Sequence, residues 1–113
     1  MTKLDSFETH GDHLATFTTD ELTALCPFDF GGPDFYNLTI RYKPDGLAVE
    51  SKSLKQYLEE FRDEEITAEG LASEIYTDID LTIEPNQLYV RLEQARRGGL
   101  EETVEKGDYE LRQ

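Results

Sequence analysis

The sequence predicts a single α+β domain in which an antiparallel sheet carries two helices on one of its faces. The first observation is the chain length of 113 residues, which allows one hydrophobic core and no second domain. The second is the order of the hydrophobic periods: two strand-like segments, two segments of helical period and two further alternating segments. The predicted order is therefore β-β-α-α-β-β in one domain spanning 1–113, with flexible ends predicted at 1–13 and 107–113.

The first half of the chain predicts a strand followed by a hairpin. The segment HLATFTTDEL, which starts at His13, is typical of a strand that runs into an acidic turn. The segment FYNLTIRYKPDGLAVE has apolar residues on both sides of a Pro-Asp-Gly turn, a pattern that predicts a β-hairpin. These apolar residues are Phe35, Leu38, Ile40 and Tyr42 before the turn, and Leu47 and Val49 after it.

Two amphipathic helices and two strands follow. SLKQYLEEFR and AEGLASEIYTDID have the helical period, with the polar break DEEIT between them. Their apolar stripes are Leu54, Tyr57, Leu58 and Phe61 in the first, and Leu71, Ile75 and Ile79 in the second. After the turn EPNQ, LYVRLEQA alternates as a strand, RRGG predicts a turn, and LEETVEKGDYELR predicts a weaker last strand.

The composition restricts the partners and the surroundings of the protein. A formal net charge of −14 disfavours a partner that is bound mainly through its phosphates. Acidic residues spread along a lysine-poor chain indicate a protein that works in molar salt, where charge repulsion is screened. An apolar fraction of 37% predicts a marginal monomer that assembles. With no apolar run of membrane length and no signal peptide, the sequence predicts a cytoplasmic protein.

Cys26 is the only cysteine, so neither an intramolecular disulfide nor a cysteine-rich zinc site is expected, and no metal is predicted. It stands with Asp29 and Asp34 in the segment LCPFDFGGPDFYNL, whose Gly31-Gly32-Pro33 bend brings Asp34 back toward the thiol. A thiol beside a carboxyl group can add to an electrophilic carbon while the acid handles the proton. A half-buried structural cysteine with two solvated acids is the alternative interpretation.

Lys52 and Lys55 are two of only five lysines, and they stand three residues apart on one face of the first predicted helix. Both lie near the helix start, where backbone N–H groups already favour an anion. Two cations at this position indicate an anionic ligand. The alternative is that they pair with local acids such as Glu50 and Glu59.

The segment ESKSLKQY resembles the signature of the NADPH-dependent 7-cyano-7-deazaguanine reductases, the QueF family of nitrile reductases. CPFDFGGPDF resembles the family's Cys-Pro…Pro-Asp-Phe loop with one additional residue, and RRGG resembles its Arg-Gly-Gly turn. Glu69 stands eight residues after Phe61, where the family has its substrate-binding glutamate. The resemblance covers about residues 17 to 100 and agrees in the order and the spacing of several motifs.

This resemblance implies a tunnelling fold (T-fold), whose β-β-α-α-β-β units assemble into a barrel with sites between subunits. It implies that Cys26 forms a thioimide with the nitrile carbon, that Asp34 donates a proton and that Glu69 binds the deazaguanine edge. The residues that it implies for NADPH binding are Glu50, Ser51, Lys52, Ser53 and Lys55. One departure is Ala68, where the family usually has a proton-handling histidine, and His10 and His13 are predicted as surface residues.

Two other functions stay open at this point. The QueF-like archaeosine synthases share the cysteine and the aspartate but add ammonia to the same nitrile within tRNA, without NADPH and without the lysine signature. A non-catalytic T-fold binding module is the third possibility. The sequence leaves open whether the substrate is a free base or part of a nucleic acid, and it suggests a halophilic archaeon or its virus as the source.

Overall fold

The structure, a computed structural model, describes residues 3–28 and 32–112. Asp29, one of the two acids that follow Cys26, and Gly31 of the expected bend lie outside the described residues. The strands are β1 (Ser6–Glu8), β2 (Ala15–Leu25), β3 (Pro33–Lys43), β4 (Leu47–Val49), β5 (Gln87–Arg97) and β6 (Leu100–Gly107). The helices are α1 (Ser51–Glu59) and α2 (Ala68–Ile83), and two short 3-10 helices cover Glu60–Asp63 and Tyr109–Leu111.

The four long strands form one antiparallel sheet in the order β2-β3-β5-β6, while β1 and β4 form a separate two-stranded sheet. Helix α1 and the 3-10 helix that follows it pack on β2, and α2 packs on β5 and β6. The apolar sides of the helices and of the sheet enclose one core. This arrangement confirms the predicted α+β class and the β-β-α-α-β-β order of the long elements.

Strand β3 lies at the centre of the sheet between β2 and β5, and its side chains alternate between the two faces. The side chains that it buries are Asp34, Tyr36, Leu38, Ile40 and Tyr42. Asp34 differs from the others because it brings a carboxyl group to the buried end of the strand. A buried charge needs a partner, so Asp34 marks this end of the sheet as a candidate site.

The hairpin predicted across the Pro-Asp-Gly turn is wrong. Strand β4 pairs with β1, with Val49 opposite Ser6, whereas β3 pairs with β2 on one side and β5 on the other. Both edges of β3 are therefore occupied, and none is left for β4. The link between the two strands is instead a side-chain contact, because the Val49 N–H donates to the buried Tyr42 hydroxyl at 3.0 Å.

Two predicted turns are also placed differently. Asp20 and Glu21 belong to β2, whose pairing with β3 shifts between Thr19 and Leu22; this is a β-bulge, which absorbs extra residues without ending the strand. In RRGG both arginines belong to β5, and the turn consists of the two glycines, which adopt positive φ. Each correction lengthens a strand, so that Cys26 and Arg97 reach the same end of the sheet.

Both predicted helices are present. Leu54, Tyr57 and Phe61 are buried as expected, although Phe61 lies in the 3-10 helix after α1. The second stripe, Leu71, Ile75 and Ile79, is fully buried, and α2 continues beyond the predicted end at 80. The chain ends add buried side chains of their own, Leu4 and Leu111, while His10 and His13 are exposed as predicted.

Among the described helices, none has the length and the apolar character that crossing a membrane requires.

Candidate functional site

Five polar side chains meet at one end of the sheet. Cys26 directly follows β2, Asp34 is near the start of β3, and Arg97 is the last residue of β5. Glu102 lies near the start of β6, and Glu69 lies in the first turn of α2. Because neighbouring strands are antiparallel, the end of β2 adjoins the start of β3, and the end of β5 adjoins the start of β6.

Arg97 connects the carboxylate of Asp34 to the thiol of Cys26. Its Nη1 donates to Oδ1 of Asp34 in an ion pair, and the Asp34 side chain is only 5% exposed. The guanidinium also lies within range of an electrostatic interaction with the side chain of Cys26. The hydrogen bond to Asp34 and its negative charge raise the pKa of Arg97, so the guanidinium stays charged. The structure thus brings together the thiol and the carboxylate through a cation.

Glu69 and Glu102 form a second pair, because α2 packs on β6 and the two carboxyl groups interact. Interaction with the Glu69 carboxyl group, then partial burial and the charge of Glu69 raise the pKa of Glu102. Interaction with Glu102 and a backbone N–H lower the pKa of Glu69. Two like charges side by side oppose each other's ionisation. Glu69 therefore loses its proton at a lower pH than Glu102.

Tyr36 lies between the two groups. It pairs across β3 and β5 with Gln94, which pairs in turn with Glu102, so the three residues share one rung of the sheet. Burial and then the charges of Asp34 and Glu102 raise the pKa of Tyr36 to about 12. Its hydroxyl is buried and has no hydrogen-bond partner among residues 3–28 and 32–112. At neutral pH it is an unused O–H donor inside the site.

The segment ESKSLKQY begins α1, and some of its residues stabilise the start of this helix. The Glu50 carboxylate is the N-cap: it accepts from the N–H groups of Lys52 at 2.8 Å and Ser53 at 2.7 Å, which lower its pKa. The Ser53 side chain is buried and accepts from the Asp5 N–H at 2.9 Å. Tyr57 is in the core and donates to Asp78 at 2.5 Å. Glu50 and Ser53 therefore shape the helix start.

The remaining polar residues of this segment, Ser51, Lys52, Lys55 and Gln56, are exposed. Neither lysine forms an ion pair within 4.0 Å in the described part of the chain, although the charge of Lys52 contributes to the lowered pKa of Glu50. Ser51 and Lys55 line a groove of about 420 Å³ between α1 and β2, together with apolar residues of both elements. The helix start thus presents a hydroxyl and two cations beside an open groove.

Within one chain, helix α1 begins at the opposite end of the sheet from Cys26. It follows Val49, which donates to Tyr42 near the end of β3, whereas Cys26 follows β2 next to the start of β3, where Asp34 lies. Asp34 and Tyr42 are about 27 Å apart at the usual rise of an antiparallel strand. The structure therefore gathers Cys26, Asp34 and Glu69 at one end of the sheet and begins the helix of the predicted cofactor residues near the other.

No group of three or more metal-ligating side chains is found in the described ranges. Three residues of the cluster were missed by sequence reasoning: Tyr36, Arg97 and Glu102. Arg97 stands within the RRGG motif, so an arginine before a Gly-Gly turn was the available signal. The other two depend on strand register, which places Glu102 on the rung of Tyr36 although the two are far apart in sequence.

The fold and the site define a class of protein, and comparison with known proteins supports it. Among solved structures, the archaeosine synthase QueF-Like in the apo form is similar to this chain, with a TM-score of 0.76 and 21% sequence identity. The match covers 83% of this chain and 91% of that chain. This likeness confirms the predicted T-fold. The family described as QueF-like protein matches residues 33–112. The chain belongs to this family.

Relatives of higher identity carry a more specific name. The NADPH-dependent 7-cyano-7-deazaguanine reductase of Chlorobium chlorochromatii is 39% identical over 104 residues, which cover 89% of each chain. The protein of the same name from Thermomicrobium roseum is 42% identical over 93 residues, covering 82% of this chain and 72% of that protein. These matches confirm the family that the motifs predicted.

Proposed function

We propose that this protein is an NADPH-dependent nitrile reductase that converts 7-cyano-7-deazaguanine to 7-aminomethyl-7-deazaguanine. The observation that carries the proposal is the thiol of Cys26, held with the buried Asp34 carboxylate by Arg97. The reductase relatives at about 40% identity support the substrate and the cofactor.

Cys26 acts as the nucleophile and Asp34 carries its proton. The Asp34 carboxylate accepts the thiol proton, and the sulfur forms a bond to the nitrile carbon as one C–N π bond breaks. Asp34 then returns the proton to the nitrogen, which gives a thioimide without any net gain or loss of protons. Arg97 forms an ion pair with Asp34, and its positive charge beside Cys26 favours the negative charge that develops on the sulfur.

When bound, NADPH would supply hydride, and the reduction of a nitrile to an aminomethyl group requires two hydrides, one from each of two cofactor molecules. Lys52 and Lys55 fit its phosphates, because they are exposed cations at the start of a helix whose backbone also favours anions. Ser51 adds a hydroxyl beside them. Glu50 and Ser53 contribute indirectly by fixing the helix start, through the cap and through the contact with Asp5.

Glu69 binds the deazaguanine edge. Its lowered pKa keeps it ionised, and a carboxylate accepts two N–H donors from such an edge in parallel hydrogen bonds. Ala68 offers no titratable group, so the cluster's proton handling falls to Asp34 and to water.

The active unit is an oligomer in which one subunit supplies the Cys26 cluster and another supplies the lysines. The start of α1 near the Tyr42 end of β3, opposite to the Asp34 end that lies beside Cys26, supports this. The edges of the sheet, β2 and β6, are available for association into the barrel that the T-fold implies. The net charge of −14 favours the free base over a nucleic acid as substrate and high salt as the working medium.

The first experiment tests the chemistry. The protein is incubated in high salt with 7-cyano-7-deazaguanine and no reductant, and its intact mass is measured. An increase by the mass of one base is expected, and Cys26→Ala should abolish it. NADPH should then release the aminomethyl product, whereas product formed with ammonium alone would indicate the amidine-forming reaction. An adduct that persists in Cys26→Ala contradicts the proposed nucleophile.

The second experiment tests the shared site. Two inactive proteins, Cys26→Ala and the double variant Lys52→Ala/Lys55→Ala, are mixed, dissociated and reassembled. If thiol and lysines come from different subunits, the hybrid contains intact sites and regains NADPH-dependent activity. If they act from the same chain, every site keeps one defect and no activity returns.

A further inference from the structure

The Glu69–Glu102 pair contains one more acceptor than the binding of an edge by Glu69 requires. A deazaguanine edge presents three N–H donors: one on the ring and two on the exocyclic amino group. A single carboxylate that binds the edge in parallel takes the ring N–H and one amino N–H. The second amino N–H is left without an acceptor from Glu69, and a donor that loses its water partner on binding without gaining another costs binding free energy.

Glu102 is placed to accept it. It lies in β6, on which α2 packs with Glu69 in its first turn, and the two carboxyl groups interact, so an edge bound to Glu69 lies beside Glu102 as well. We propose that Glu102 is a specificity-determining residue that accepts the second N–H of the amino group and so selects bases that carry this group. This inference rests on the proposed function, because it places the base on Glu69.

In the free protein, the neighbouring Glu69 raises the pKa of Glu102. A second amino N–H that donates to Glu102 stabilises its carboxylate when the base binds. Glu69 from α2 acts directly on Glu102, and Tyr36 from β3 feels the charges of Asp34, Glu102, Cys26 and Glu69. Arg97 from β5 pairs with Asp34.

Tyr36 supplies the independent observation. Its hydroxyl is buried and lacks a partner in the described part of the chain, yet it shares a rung with Glu102 and is close enough for the charge of Glu102 to act on it. A buried donor without a partner costs stability in the free protein, so its presence calls for another state in which it is used. When the base is bound, the Tyr36 hydroxyl can stabilise the Glu102 carboxylate.

The test compares two nitriles: 7-cyano-7-deazaguanine and the analogue in which hydrogen replaces the 2-amino group. For each, the concentration that gives the half-maximal rate of adduct formation on Cys26 is measured by intact mass. The ratio of the two concentrations is the preference for the amino group. Glu102→Ala should lower this preference about ten- to a hundredfold, the range for a hydrogen bond to a charged group.

Glu102→Gln keeps an oxygen acceptor and should give an intermediate preference. Glu101→Ala is the matched control, because Glu101 is the neighbouring residue on the other face of β6 and pairs with the exposed Arg96 at 2.9 Å. It should leave the preference unchanged. Melting curves of all variants verify that each is folded.

The outcomes separate the two levels of the proposal. If the wild-type protein forms no adduct with the parent base, the proposed function fails and the role of Glu102 fails with it. If the adduct forms but Glu102→Ala keeps the wild-type preference, only the assignment of Glu102 is overturned. A loss of preference of the same size in Glu101→Ala also overturns it, since the effect would then reflect the negative charge of the strand and no contact with the base.

Discussion

The unpaired hydroxyl of Tyr36 predicts that its removal does not cost stability. Tyr36 and Tyr42 offer a matched comparison, because both are in β3, both are 2% exposed and both project into the core. The hydroxyl of Tyr42 accepts the Val49 N–H at 3.0 Å, whereas that of Tyr36 has no partner among the described residues. Replacement of each by Phe removes one oxygen atom from the same strand and the same face of the sheet.

The two substitutions should change the free energy of unfolding in different directions. Tyr42→Phe leaves the buried Val49 N–H unsatisfied and should cost about 1–3 kcal/mol. Tyr36→Phe removes a buried donor that has no partner, so it should be neutral or stabilise by up to about 1 kcal/mol. For a domain of this size, a difference of about 2 kcal/mol between the variants corresponds to roughly 8 °C in Tm.

Thermal and denaturant unfolding of both variants and of the wild type, at one salt concentration and one chain concentration, measures this difference. The chain concentration is fixed because association contributes to the apparent stability. If Tyr36→Phe loses as much stability as Tyr42→Phe, the Tyr36 hydroxyl has a partner in solution and the reasoning from its isolation fails. Tyr36→Phe should also weaken binding of the deazaguanine base, because the bound state then lacks the donor beside Glu102.

Three further predictions concern the helix start and the net charge. Lys52→Ala and Lys55→Ala should each raise the KM for NADPH about ten- to a hundredfold while adduct formation on Cys26 stays unchanged. The control is Lys43→Ala, which removes an exposed lysine of β3. Unchanged NADPH kinetics in both variants would show that these lysines do not bind the cofactor. Backbone N–H groups lower the pKa of Glu50 in the folded protein from its usual 4.5, so the stabilising effect of its carboxylate is full above pH 4.5 and is lost as the pH falls through the pKa of the folded state. Glu50→Gln should therefore flatten the dependence of Tm on pH in the acid range. An equal change of Tm at every pH would contradict this. Dilution from high into low salt should dissociate the assembly and lower Tm, because the net charge of −14 is then less screened; a compact monomer that is stable at low salt would be the opposite result.

The sequence by itself determined the class of fold and the family. The helical stripes of α1 and α2 and the alternation of β3 are local patterns, and each is confirmed by burial in the core. The motifs around Cys26, Lys52 and Glu69 identified the family because their order and spacing are read along the chain, and the relatives confirm this identification. The barrel assembly, the role of each site residue, the flexible ends and the halophilic origin stay predictions.

The tertiary structure alone decided the pairing of β4 with β1 and the composition of the site. Strand pairing depends on which edges remain open, so the local hairpin signal after β3 was overridden by β2 and β5. In the same way Tyr36 and Glu102 meet only because the register of three strands places them on one rung, and Arg97 reaches Asp34 only because β5 continues to the end of the sheet. The sequence determines what each segment prefers, but contacts between distant segments arise from the packing of the whole chain, and these contacts place a cation, a spare donor and a second carboxyl around the predicted residues.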